Sequence, residues 1–204
     1  MVETRRQNWQ ARKKQSHGRI LAAAGRRLRT AGIDGLSVAE VMADADLTHG
    51  GFYAHFDNKK DMVAEGFAYA ASEAREMWFE RLDDVRGGES LKWLAGRYLR
   101  PRHRDHPEDG CPFAALGMDI SRGDAALRDV FDTALKDTVT QVAAKLDDLP
   151  AEEARSQAII FMSLCVGALN LARAVSDAEF SEDILRTVRQ FASALPDNTR
   201  KKEG

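Results

Sequence analysis

The chain has 204 residues, 44% of them hydrophobic and 30% charged, with a formal net charge of -2. That length can bury a sizeable core, and two cysteines, Cys111 and Cys165, exclude a disulfide framework and fit a reducing cytoplasm. The charge is unevenly spread: residues 1–60 hold eleven Lys/Arg against six Asp/Glu, and the remainder holds nineteen against twenty-six. A basic head suited to nucleic acid thus precedes an acidic body.

In chain order, residues 1–16 read as a basic arm carrying Arg5, Arg6, Arg12, Lys13 and Lys14, without the pattern of a signal peptide. Ser16 or His17 starts a helix with Ile20, Ala24 and Leu28 on one face, and Gly32 ends it. Ser37 is a suitable N-cap, with Glu40 placed to complete a capping box, for a short helix whose Val38, Val41 and Met42 point inward. A second short helix is predicted over 48–56. Asn58 caps a long helix from Lys59 to about Asp84, which Gly87 and Gly88 break. Further helices are predicted near 89–100, 112–122, 124–147, 151–176 and 179–195, and a polar tail follows from Pro196. No alternating strand pattern occurs, so the fold class is all-α. The uncharged run Ser156–Ala172 is at the short limit of a membrane span and contains Gln157, Ser163 and Asn170. It reads as a buried helix.

The segment LTHGGFYAHFDNKK, residues 47–60, carries two adjacent glycines followed by the four rings of Phe52, Tyr53, His55 and Phe56. Each glycine costs a helix roughly 1 kcal/mol against alanine, so a helix made only for packing would avoid them. With the helix from Ser37 and a tight connection at Asp46-Leu47, it forms a helix-turn-helix, whose second helix enters the major groove. Leu47, Phe52 and Phe56 share the inward face. The outward face predicts a DNA-binding set of Ser37, Thr48, His49, Gly50, Tyr53, His55, Lys59 and Lys60. Tyr53 suits a phosphate, and Lys59 sits at a helix N-terminus, a natural phosphate seat. Glycine at 50 and 51 permits close approach to the duplex or to a neighbouring helix.

The run SVAEVMADADLTHGGFYAHFDNK resembles the DNA-binding head of the TetR (tetracycline repressor-like) family of bacterial transcriptional regulators. The pattern falls on Thr48, Gly50, Phe52, Tyr53, His55-Phe56, Asn58 and Lys59, and the resemblance covers roughly residues 18–66. Asp46 stands in place of a turn glycine and Met42 in place of a small alanine. The resemblance implies a helix-turn-helix head over 17–60, a body over 61–195 for effector binding and dimerisation, and a tail over 196–204. It also implies a homodimer on roughly palindromic double-stranded DNA, and a repressor released by a small effector.

The body supports assembly on its own residues. Apolar side chains surround the helix over 158–175, which predicts burial against its own core and against a partner. The stripe Phe180, Ile184, Val188, Phe191 and Leu195 marks the next helix as the second interface element. Charge at Leu169 is expected to abolish dimerisation and DNA binding together. The expected effector is small and partly apolar, with Trp78, Trp93, Phe113, Met118, Phe131 and Met162 as pocket lining and Arg97 and Asp119 as polar anchors.

No phosphate-binding glycine loop, serine elbow or H-E-x-x-H spacing occurs, so no enzyme, cofactor or resident metal is expected. The segment HRDHPEDGC holds metal-ligand types without CxxC geometry and reads as a solvated loop. Cys111 before Pro112 is the N-cap of a helix whose amides and dipole favour a thiolate, with His103 and His106 as nearby positive charge. This leaves a redox- or electrophile-responsive regulator as an alternative to an effector-released repressor. A helical module contacting RNA or acidic protein is the other alternative.

Overall fold

Gly32 adopts a positive φ of 71° and stops the first helix one residue earlier, at Ala31. That helix, α1 (Val2–Ala31), runs back without a break through the predicted basic arm, so residues 2–16 and 17–31 are one element. The structure, a computed structural model, describes residues 2–80, 82 and 85–195. The predicted polar tail falls outside them, while the long helix ends at Phe79, short of the predicted Asp84.

The other helices are α2 (Val38–Asp44), α3 (Lys59–Phe79), α4 (Gly88–Tyr98), α5 (Pro101–Asp105), α6 (Pro112–Ser121), α7 (Ala125–Ala143), α8 (Ala151–Ala174) and α9 (Ala178–Ser193). Two 3₁₀ turns join them, His49–Ala54 and Pro107–Asp109. Of the described residues 80% are helical and none is in a strand, which makes the fold all-α.

The head is a three-element cluster on α1. Ile20, Ala24 and Leu28 are fully buried, as their spacing predicts, against Val41, Met42, Phe52 and Phe56. Phe52 and Phe56 stack at 5.5 Å, and His17 of α1 stacks on Phe56 at 4.9 Å. Small residues let α1 and α3 approach closely: a Cβ on Gly66 would come within 3.0 Å of Ala24, and one on Gly25 within 3.2 Å of Ala70. This seam ties the head to α3, and through α3 to the body.

In the body, α3, α6, α7 and α8 enclose Phe67, Phe113, Leu116, Phe161 and Leu169, while α4 and α9 close the far side. Each such large side chain contributes about 2–3 kcal/mol by leaving water. Asn58 caps α3 as predicted, its side chain accepting from the Asp61 amide at 3.1 Å. Asp124 caps α7 in the same way. The capping box at Ser37 does not form. Arg27 takes Glu40 at 2.7 Å and also binds Asp44, so Glu40 is turned away from the helix start.

α8 is long and apolar enough to cross a membrane by length and composition. Nine of its residues nevertheless face the core, including Phe161, Met162, Cys165 and Leu169. The rest of the apolar surface, assigned by its sequence to a partner, is open in the single chain. Ile160, Gly167 and Leu171 lie exposed along one outer stripe, and Leu171 is 60% accessible. On α9 the stripe assigned to an interface is mostly separate from the core face, with Leu195 on both. Ser181, Leu185, Ala192 and Leu195 are buried, while Phe180 and Phe191 are exposed at 55% and 50%.

Candidate functional site

Asp46 makes the turn between α2 and the next element, with φ at 53°, a conformation that aspartate tolerates better than most residues. The turn delivers a 3₁₀ segment, His49–Ala54, where an α-helix was expected. Two glycines in six residues weaken α-helical propagation, and Thr48 supplies no side-chain cap. Phe52 anchors this segment to the core, and Tyr53 projects from it, 71% exposed.

Thr48, His49, Gly50 and Tyr53 lie together on the exposed side, with Ser37 half-buried at the start of α2. Ser37 makes no cap bond, so its hydroxyl carries no structural duty in the helix. Lys59 begins α3 beside amides that the helix leaves unpaired. Two of the predicted residues depart from this surface. His55 is half-buried against α1, with Nε2 3.2 Å from the Ser16 hydroxyl and its ring 5.6 Å from His17. Burial, together with His17 and Lys13, lowers its pKa. Lys60 pairs with Asp124 at 3.2 Å, which turns it toward the body.

The glycines differ in role. A Cβ on Gly51 would meet Met42 at 3.6 Å, ordinary packing, so the larger Met42 covers the backbone at that point. A Cβ on Gly50 would meet nothing within 4 Å, so no neighbouring helix of this chain requires that glycine. Gly50→Ala should therefore hold or raise stability, by up to about 1 kcal/mol, while weakening duplex binding. Urea melts and gel shifts check this together. Unchanged affinity would remove Gly50 from the DNA surface.

In the body, a cavity of about 520 Å³ opens between α6, α7 and α8. Phe113, Met118, Phe131 and Met162 line it, as predicted from sequence, and Gly117, Lys136, Arg155, Ser163 and Asn170 complete its wall. Lys136 is paired with Asp132 at 2.6 Å, whereas Arg155, Ser163 and Asn170 offer polar groups to a ligand. A smaller internal void, about 30 Å³, lies behind it beside Trp78 and Tyr98, and Phe113 and Met162 form the partition.

Four predicted pocket residues lie elsewhere: Trp78 beside the smaller void, and Trp93, Arg97 and Asp119 farther off. α4 buries Leu91, Leu94, Ala95 and Tyr98, so Trp93 and Arg97 fall off its inner face and stack on each other at 4.6 Å. Asp119 does not anchor a ligand in the cavity. It lies one turn past Leu116 at the end of α6, where its Oδ2 accepts the Ile33 amide at 3.2 Å just beyond α1.

The segment HRDHPEDGC is not a solvated loop throughout. It folds into α5 and a 3₁₀ turn; arginines of two helices hold it, and a third arginine holds the residues just before it. Arg29 donates to the Glu108 carbonyl at 2.7 Å, Arg173 to the His103 carbonyl at 2.6 Å, and Arg189 to the Leu99 carbonyl at 3.1 Å. His103 is buried within it. Its Nε2 accepts the Cys111 amide at 2.9 Å and Nδ1 donates to the Tyr98 carbonyl at 2.8 Å, which fixes the neutral tautomer. Among the described residues, no group of three or more His, Cys, Asp or Glu side chains could hold a metal ion.

Burial pushes the His103 pKa down to about 4, against its bond to Tyr98, and Arg173, Arg100 and Arg29 nearby add to the depression. The unfolded chain therefore binds the proton first, near 6.5, and the folded chain only near 4. Stability from the neutral imidazole is complete above that upper value and is lost as pH falls through the window, on the order of 3 kcal/mol. His103→Gln should lose less stability between pH 7 and 4.5 than the wild type in matched urea melts. Equal pH slopes in the two proteins would contradict this.

The same geometry favours a capping and packing role for Cys111 over the reactive alternative left open by its sequence context. It occupies the N-cap of α6 as predicted, but only 3% of it is accessible. Burial raises its pKa, outweighing the hydrogen bonds from Tyr98 and the α6 amides. His103 is neutral and His106 is engaged with Glu108, so neither supplies the positive charge expected beside the thiol. Cys165 is buried and its pKa is raised further by burial and by Cys111.

An exposed helix-turn-helix on a cavity-bearing helical body defines a DNA-binding regulator. Sequence comparison agrees: residues 20–65 match the bacterial regulatory proteins of the tetR family, and residues 97–190 match the C-terminal domain of LmrA/YxaF-like transcriptional regulators. The chain belongs to the TetR family of transcriptional regulators. Its fold is similar to that of a TetR transcriptional regulator from Chloroflexus aurantiacus, with TM-score 0.74, 18% identity and coverage of 90% of this chain and 95% of that one. A TetR-family regulator from Cytophaga hutchinsonii gives 0.75 at 17% identity, covering 90% and 96%. NemR of E. coli in its reduced form gives 0.72 at 16% identity, covering 87% and 94%. At these identities the likeness is one of fold. No curated protein matches this sequence.

Sequence reasoning missed Arg29, Gly117, Arg155 and the head-facing role of Asp119. Only Arg29 left a trace: it lies four residues after Gly25, on the α1 face that meets α3.

Proposed function

We propose that the protein is a repressor that binds a roughly palindromic operator as a homodimer and releases it when a small, partly apolar effector enters the cavity between α6, α7 and α8. The head of residues 17–60 reads DNA, and the body of residues 61–195 holds the effector and the second subunit. Ser37, Thr48, His49, Gly50, Tyr53 and Lys59 face the duplex. The protein acts in the cytoplasm on nucleoid DNA.

One observation carries the effector reading. α6 lines the cavity with Phe113, Gly117 and Met118, and its next residue, Asp119, binds the Ile33 amide at the end of the head's first helix. A ligand that shifts α6 acts directly on α1. Coupling of this kind requires a ligand that favours one placement of α6 over the other.

The experiment uses gel shifts with duplex from the protein's own upstream region, titrated with a panel of apolar small molecules. A Cβ on Gly117 would meet nothing within 4 Å, so Gly117→Phe projects into the cavity without a clash at its root. It should keep operator binding and lose release by the active compound. Release that survives in Gly117→Phe would place the effector elsewhere. On the DNA side, Tyr53→Phe and Lys59→Ala should weaken binding to every duplex about equally and flatten its salt dependence. His49→Ala should instead change sequence preference.

A further inference from the structure

A second cavity, about 400 Å³, is lined by α1, α3 and the segment that connects α4 to α6. Its wall is strongly basic. Arg26 and Arg29 come from α1, and Arg100 and Arg102 from the connecting segment, against Glu73 and Asp109 as the only carboxylates lining it. His103 on the same wall is neutral, and His106 is engaged with Glu108. Glu73 is already satisfied by Arg29 at 2.8 Å. Arg26, Arg100 and Arg102 make no side-chain hydrogen bond or ion pair among the described residues. Local positive charge thus exceeds negative by two, in a chain whose net charge is -2.

The wall also holds buried donors without acceptors. Arg29 is 5% accessible and Trp78 8%, yet Arg29 Nε and Trp78 Nε1 meet no partner, and neither does Arg100 Nε. Buried donors are nearly always paired, because an unpaired one has given up its hydrogen bonds to water for nothing. These three unpaired donors lie on residues that line this one cavity, just behind its surface. Apolar surface from Ala74, Met77 and Trp78 forms the rest of the wall. The volume falls within the usual range for small-molecule sites, roughly 300–1,000 Å³.

We propose that this cavity binds a small organic anion, a carboxylate or phosphate held by Arg100 and Arg102, with an apolar part against Met77 and Trp78. Guanidinium groups bind such oxygens through paired N–H donors, which a lysine cannot reproduce. The site does not depend on the cavity between α6, α7 and α8, whose wall is mostly apolar and shares none of these residues.

Trp78 is the natural reporter. In a Trp9→Phe/Trp93→Phe background it is the only tryptophan, since the chain has 3. Phenyl phosphate and benzoate should each change its fluorescence saturably at constant ionic strength, and phenol should not. Arg100→Gln/Arg102→Gln should weaken that response at least roughly tenfold. Arg102→Gln alone, at an exposed side chain without partners, should give a smaller loss in the same direction and guards against misfolding. Arg29 is left unchanged because its other nitrogens hold the fold. The proposal is overturned by a non-saturable response in the wild-type background, or by equal affinity in the glutamine variants. It is also overturned if those variants keep the small-anion response but weaken duplex DNA binding and flatten its salt dependence, because the arginines would then be phosphate contacts for DNA.

Discussion

Arg29→Met should destabilise the protein by about 2–4 kcal/mol, the largest effect expected of any single charged residue in the head. The Arg29 side chain is 2% accessible and ties α1 to two other elements at once. It donates to the Ala70 carbonyl at 3.1 Å and to Glu73 at 2.8 Å on α3, and to the Glu108 carbonyl at 2.7 Å. Methionine fills much of the volume but leaves two carbonyls without their donor. Arg29→Lys should recover only part of the loss, because an ammonium cannot hold the forked geometry. The control is Arg27→Ala two residues earlier, whose ion pairs with Glu40 and Asp44 lie at the surface and should matter by less than about 1 kcal/mol. Urea unfolding of the three variants measures the series. A loss at Arg29 no larger than at Arg27 would show that the buried bonds do not carry this junction.

Assembly gives the other large effect. Leu169, the position that its sequence context nominates for a disruptive charge, is fully buried within its own chain. Leu169→Glu should therefore unfold the body, since it forces a carboxylate into the core. Leu171→Glu with Phe180→Glu is the informative variant, because both side chains are more than half exposed on the outer surface of α8 and α9. Ile160 and Phe191 extend the same apolar surface, and a Cβ on Gly167 within it would meet nothing within 4 Å, leaving room for a second helix. The double variant should stay folded, run as a single chain in light scattering, and lose operator affinity by roughly 10²–10⁴, the gain that linking two half-site contacts provides. A folded single chain that keeps full affinity would defeat the two-fold reading, and a variant that still pairs would move the interface.

Sequence carried the helical periods well, because Ile20, Ala24 and Leu28, or Phe52 and Phe56, need only their own spacing to mark a buried face. It also marked the turn at Asp46 and the cap at Asn58, which are local matters of backbone conformation and one hydrogen bond. It failed where a choice between partners decides the outcome. Glu40 has the spacing of a capping box, yet Arg27, thirteen residues earlier, draws it away. His55 has the position of a DNA-facing residue, yet Ser16 and His17 hold it against α1. Apolar content on α8 and α9 was evident, but which stripe turns inward depends on α7 and α4, and no periodicity within one helix contains that. The cavity residues Phe113, Met118, Phe131 and Met162 were legible as large apolar side chains. Arg155 and Asn170 were not, because a polar residue at a cavity mouth looks like any solvated one.

The two shielded thiols have a practical meaning for how the molecule comes apart. Both cysteines lie in the second half of the chain, one at the start of α6 and one in the middle of α8, and α1 to α3 contain none. Neither can meet an alkylating reagent until the helices around it separate, since Cys111 is 3% accessible and Cys165 is not accessible at all. Thiol labelling under native conditions is thus a clock for opening of the body alone, blind to fraying of the head. Amide exchange in α1 and α2 run beside it would time the head separately. The gap between the two clocks would measure how far the Asp119–Ile33 and Arg29–Glu108 bonds make the two halves open as one.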